Sequence, residues 1–106
     1  MIKATYRRED TAHLLMLHGH ADYAKHGEDI VCAGASSVVY ALLGWLENHP
    51  EDLEYMDADV HEGDVKIACE GGEKTAAVFE MTAIGLLQLA DSFPDHVDIN
   101  IVGLAD

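Results

Sequence analysis

An α+β two-layer sandwich, with a mostly antiparallel sheet and two helices on one face, is the architecture this sequence predicts. Three observations lead there. Five short stretches read as strands, three of them with period-two alternation, two longer stretches read as helices, and the order along the chain is ββαββαβ. Closely spaced strand pairs favour antiparallel hairpins, and two helices can cover one face of such a sheet. A chain of 106 residues suits a single domain spanning 1–106.

The elements follow in order. In residues 2–8, Ile2, Ala4 and Tyr6 alternate with Lys3, Thr5 and Arg7, a strand pattern. Glu9, Asp10 and Thr11 form a polar turn, and Ala12 to His18 supplies the second strand of a hairpin. Residues 19–29 are polar and contain Gly19 and Gly27; a loop of this length in so small a domain is often functional. From Ile30 to Asn48 the period becomes helical, with Val31, Ala35, Val38, Val39, Leu42 and Leu46 on one face, and Pro50 ends the run. Two further strands, Leu53–Val60 and Asp64–Glu70, flank His61-Glu62-Gly63. After Gly71-Gly72, a second helix is expected from Thr75 to Phe93, with Thr75 as its N-cap. Val97 to Val102 closes the chain as a strand. On the second helix Ile84 and Leu87 share the direction of Glu80 and Asp91, so apolar side chains fall on the wet face and a homodimer is expected.

Charge and composition narrow the function. The net charge is −14, from twenty acidic and six basic residues. Direct binding to a nucleic-acid backbone is therefore disfavoured, because it needs Lys and Arg to displace counterions. Eight carboxylates between Glu47 and Asp64 lie in a stretch without Lys or Arg, which suits a basic partner. The longest apolar run, Val38 to Leu46, is too short to span a bilayer, so no membrane partner is expected. MIKATYRRED lacks the apolar segment of a secretory signal, and two cysteines do not make a disulfide framework. A cytoplasmic location with reduced thiols is the expectation.

The chemistry-bearing residues gather in GHADYAKHGEDIVCAGAS, Gly19 to Ser36. Cys32 falls in the first turn of the predicted helix, where unpaired backbone N–H groups carry partial positive charge and favour a thiolate. Ala33, Gly34 and Ala35 are small, leaving the backbone accessible to hold an oxyanion. His20 leaves the second strand and can reach the sulfur if that strand lies beside the helix start. A Cys–His pair is the minimum equipment for nucleophilic attack on an acyl group. A metal site built from His18, His20, Asp22, His26, Asp29 and Cys32 has no standard ligand spacing, and no metal or cofactor is expected. Cys69 alternates with Val65 and Ile67 and is expected in the core, without chemistry. GGEKT, Gly71 to Thr75, lacks the residue order of a phosphate loop. Trp45 and Tyr40 read as packing.

The same stretch resembles the signature of Prp, the bacterial ribosomal-processing cysteine protease family. Its members carry Gly-His-Ala, then Gly-x-Asp-Ile-Val-Cys, then Ser four residues after the Cys. These stand here as Gly19-His20-Ala21, Gly27-Glu28-Asp29-Ile30-Val31-Cys32 and Ser36. Length and element order are similar along the whole chain, whereas the specific signal lies in residues 19–36. The resemblance implies a homodimeric protease with Cys32 as nucleophile and His20 as general base and acid. It also implies a substrate, the precursor of a basic protein, the twenty-seventh of the large ribosomal subunit. From this a short N-terminal extension is removed after an aromatic-ended apolar segment. One departure is visible: Gly34-Ala35 stands where members more commonly have Ala-Val.

The supporting positions carry more than one reading. Asp29 can cap the helix through the N–H of Val31 or Cys32, or orient His20 as a third member; N-cap preference favours the cap. Ser36 can bond to the sulfur or back to the Cys32 carbonyl. Gly27 supplies a backbone bend. Closure of the loop 21–29 over substrate is expected to give specificity. A second reading of the whole chain is a non-enzymatic dimeric module that binds a basic ribosomal protein.

Overall fold

Alternation sorts the strand side chains onto two faces of one sheet. Ile2, Ala4 and Tyr6, then His13, Leu15 and Leu17, then Ile67 and Cys69, and finally Val97 are buried, while the residues between them are exposed or half-exposed. In the computed structural model, which describes residues 1–103, the strands are β1 (Ile2–Glu9), β2 (Ala12–His18), β3 (Leu53–His61), β4 (Asp64–Gly71) and β5 (Val97–Val102). The helices are α1 (Ile30–Asn48) and α2 (Glu73–Ser92). The sheet order is β3-β4-β2-β1-β5. Three neighbouring pairs are antiparallel and only β1–β5 is parallel. The parallel pair arises because α2 carries the chain from β4 across to the far edge beside β1. The expected α+β class and element order are thus observed.

Both helices turn an apolar stripe inward. Val31, Ala35, Val39, Leu42, Leu43 and Leu46 are buried from α1, and Thr75, Phe79, Thr82, Ala83 and Leu86 from α2. Each fully buried Leu or Phe contributes roughly 2–3 kcal/mol. The helices meet where side chains are missing. Leu89 lies against Gly34, where an added Cβ would sit 3.3 Å from its Cδ2, and Val38 lies against Gly85. The missing side chain at Gly34 therefore gives Leu89 its space. An 18-residue window of α1 has a mean hydropathy of 1.6, enough by length and composition alone to cross a membrane, as the core helix of a sandwich also can be. Its buried stripe is the inner face of the sandwich.

The helix ends differ from expectation at α2. Thr75 is the third helical residue and fully buried; the N-cap is Gly72, whose side of the turn has no cap group of its own. The acceptor comes from elsewhere: Asp52, in the 3-10 turn Pro50–Asp52, takes the Thr75 N–H at 2.9 Å and its hydroxyl at 2.7 Å. The helix stops at Ser92, with Phe93 as C-cap. A stacked trio of Tyr6, His13 and Phe79 fills the sheet–helix layer, with Tyr6 Oη and His13 Nδ1 2.7 Å apart. The wet face of α2 exposes Met81, Ile84 and Leu87.

Candidate active site

The loop from Gly19 to Asp29 connects β2 to α1 along one rim of the sheet, and the β3–β4 hairpin tip borders it. Gly19 opens the loop with φ of +98°, and a Cβ there would stand 2.4 Å from the Met1 carbonyl oxygen; only glycine meets both conditions. Its N–H donates to the Gly63 carbonyl at 2.9 Å, which joins loop and hairpin tip. At the far end Gly27 bends the backbone with φ of +87°.

Asp29 then starts α1. Its Oδ1 accepts from Val31 N and Cys32 N, both at 3.0 Å, and its Oδ2 accepts from Tyr23 N at 2.9 Å and Ala24 N at 3.3 Å. One carboxylate thus caps the helix and folds the loop back on it, with no hydrogen bond to His20. The Cys32 N–H foremost, followed by those of Ala24, Tyr23 and Val31, holds this carboxyl below its ordinary range against the opposing cost of desolvation.

This capping overturns the expected oxyanion site. The N–H groups of Val31 and Cys32 are committed to Asp29 Oδ1, and that of Ala33 to the Asp29 carbonyl at 3.0 Å. The donor that reaches the sulfur comes from the loop: Ala21 N–H points at Cys32 Sγ at 3.4 Å. Cys32 is half-buried, and its sulfur lies between the helix start and a buried Ala21.

His20, Cys32, Asp29, Gly27 and Ser36 all line one cavity of about 980 Å³. Every predicted site residue is therefore gathered around one space. Among the described residues no hydrogen bond joins His20 to Cys32. The imidazole lies on Gly63, where an added Cβ would meet Nε2 at 2.6 Å. Gly63 also has φ of +73°, so the hairpin tip needs glycine for its turn and for the ring above it. Among the described residues Ser36 makes neither expected bond; it is Ser37 that bonds back, to the Ala33 carbonyl at 2.9 Å. Tyr40 is no packing residue: it is 64% exposed and lines the cavity. Trp45 instead stacks on His49 at 4.2 Å.

Sequence reading missed the hairpin tip, Val60 to Val65, which forms the wall opposite α1. His26 in the loop and Glu62 in the tip meet at 3.1 Å across it. A glycine in a hairpin turn was the only local signal. The rim carboxylates Asp22, Glu62 and Asp64 are exposed, and among the described residues no Lys or Arg lines the cavity. Cys69 lies apart in the core, 3% exposed, and burial pushes its thiol up to about 11, with Asp52 adding to the rise. No three His, Cys, Asp or Glu side chains converge to hold a metal ion among the described residues.

Comparison with known proteins supplies the context for this cavity. The family model of the cysteine protease Prp matches residues 1–98. The ribosomal processing cysteine protease Prp of Mycoplasma pneumoniae is 32% identical over 100 residues, covering 92% of this chain and 91% of that one. Its counterpart from Mycoplasma genitalium is 29% identical over 86 residues, with coverages of 81% and 85%. Among solved structures, the essential ribosomal processing protease Prp from S. aureus, with a covalently linked product peptide, superposes with a TM-score of 0.78. It is 19% identical, covering 95% of this chain and 99% of that one, and the likeness is one of fold. With a family match that runs from the first strand into the last, this chain belongs to the Prp family of ribosomal processing cysteine proteases.

Proposed function

We propose that this protein is a cytoplasmic, homodimeric endopeptidase that removes a short N-terminal extension from the precursor of a basic large-subunit ribosomal protein, the twenty-seventh. Cys32 is its nucleophile and His20 its general base and acid. The observation that carries the reading is the Cys32 sulfur at the wall of a cavity shared with His20, with the Ala21 N–H aimed at it. The S. aureus Prp has been captured both with a covalently linked product peptide and with a substrate peptide. The acidic rim, unneutralised by Lys or Arg, suits a basic protein. The exposed apolar face of α2 supports self-association.

The chemistry balances through one proton carrier. His20 takes the thiol proton, and the sulfur attacks the scissile carbonyl carbon while the Ala21 N–H, which had held the thiolate, becomes the donor to the new oxyanion. The C–N bond breaks, and His20 gives its proton to the leaving amine. Water then attacks the thioester, His20 accepts its proton, and the acid product leaves as sulfur regains it. Hydrogen bonds of this kind commonly tighten only with substrate in place, so His20 turns from Gly63 toward the sulfur as the loop between the anchored Ala21 and Asp29 closes over the peptide.

The test is cleavage of the precursor by the wild type and by Cys32→Ala and His20→Ala, read by mass spectrometry. Both variants lose at least roughly 1,000-fold in rate. Undiminished cleavage by Cys32→Ala removes the nucleophile assignment.

A further inference from the structure

Ala21 is held on both sides of its residue. Its N–H donates to Cys32 Sγ at 3.4 Å, and its carbonyl accepts from His96 Nδ1 at 2.8 Å. A carbonyl only accepts, so Nδ1 of His96 carries the proton. His96 belongs to neither the loop nor α1; it lies in the turn between α2 and β5. Its own backbone is fixed twice, by its N–H to the Phe93 carbonyl and by its carbonyl from Ile2 N–H, both at 2.9 Å. The same ring receives Tyr23 edge-on at 5.2 Å, and Phe93 receives it at 5.3 Å. A rigid corner of the sheet thus grips the loop that follows His20.

We propose that His96 is a positioning residue of the protease, holding Ala21 so that its N–H points at the Cys32 sulfur and at the oxyanion formed there. The inference rests on Cys32 being the nucleophile. Without the donor, the Ala21 carbonyl loses its partner, and its N–H no longer has a fixed direction. A donor displaced by an ångström weakens catalysis far more than binding, because the cavity walls stay where they are.

Two substitutions of like shape isolate the donor: His96→Asn keeps an N–H near the Nδ1 position, and His96→Leu removes it. His96→Leu lowers kcat on the precursor by about tenfold or more with KM nearly unchanged. It slows carboxymethylation of Cys32 to a similar degree and speeds amide exchange at Ala21. His96→Asn restores most of all three. Unchanged carboxymethylation and Ala21 exchange in a folded His96→Leu protein overturn the tether. Slowed carboxymethylation with undiminished cleavage supports the tether and instead overturns the role of Cys32. A measurement without substitution guards against a variant that does not fold. Nitrogen NMR of the wild type shows His96 protonated at Nδ1, whereas a ring that carries its proton on Nε2 alone overturns the proposal.

Discussion

The two helices begin alike and end up with different tasks. In each, an aspartate receives first-turn N–H groups: Asp29 takes those of Val31 and Cys32, and Asp52 takes that of Thr75. In each, the third helical residue stands beside that carboxylate, Cys32 in α1 and Thr75 in α2. At α2 the arrangement closes on itself, since the Thr75 hydroxyl donates to Asp52 and the residue is fully buried. At α1 the sulfur is left to a donor from another segment, Ala21, and opens on the cavity. A helix start with its carboxylate cap in place is a structural device. Under the proposed function it becomes a reactive site where the third side chain, as at Cys32, is turned toward a space that a substrate can enter.

Substitutions at the third position break this comparison most sharply. Cys32→Ser keeps the fold, while cleavage of the precursor falls by roughly 1,000-fold or more. Thr75→Val does the reverse, with cleavage retained at low temperature and about 1–2 kcal/mol of stability lost in urea titration. Similar activity losses in both would show that the two helix starts do not differ in role. A smaller contrast is expected at the caps. Asp29→Asn weakens both the α1 cap and the fold of loop 21–29, so kcat/KM falls by about tenfold. Asp52→Asn lowers the melting temperature by about 5 °C with little change in activity.

Acid sharpens the comparison by acting on both caps. Thr75, through its hydroxyl and then its N–H, holds the Asp52 carboxyl below its ordinary value near 3.8, as the Cys32 N–H foremost does for Asp29. Both groups titrate lower folded than unfolded, so their stabilisation is present above pH 3.8 and is lost as pH falls through the folded values. His13 acts earlier. Burial, helped by Arg8, lowers it from 6.5, so the unfolded chain gains a proton first and stability declines as pH drops below that value. Urea midpoints measured from pH 8 to pH 3 show two declines, and Asp52→Asn flattens the lower one. The smallest effect is at the second thiol: Cys69→Ala leaves cleavage within about twofold and costs about 1 kcal/mol.

The contrast also explains what the residues alone could reveal. Asp29 and α1 are neighbours in sequence, so the cap, the helix limits and the Cys32 position were legible from local pattern. Asp52 reaches Thr75 across 23 residues, and a reading that looked for a local cap chose Thr75 itself. Period-two alternation marked β1, β4 and β5, while β2 and β3 were bounded by turn residues and β3 has no fully buried position; the parallel pairing of β5 with β1 depends on where α2 docks. His20 and Cys32 were singled out because a cysteine at a helix start and a histidine at a strand end suggest their chemistry by position, and the structure sets both on one cavity. Gly63, the His26–Glu62 pair and His96 carry theirs only once the sheet brings distant segments to the same rim. Tyr40 sits on an apolar helix yet faces the cavity; the aliphatic residues around it in sequence had suggested packing.

Labelling with an affinity reagent tests the central claim most directly. A peptide chloromethyl ketone that copies the apolar, aromatic-ended segment is incubated with the native protein, and the adduct is mapped by mass spectrometry. One equivalent on Cys32, with Cys69 untouched and cleavage lost in proportion, is the predicted result. Loss of cleavage with Cys32 unmodified would contradict the account.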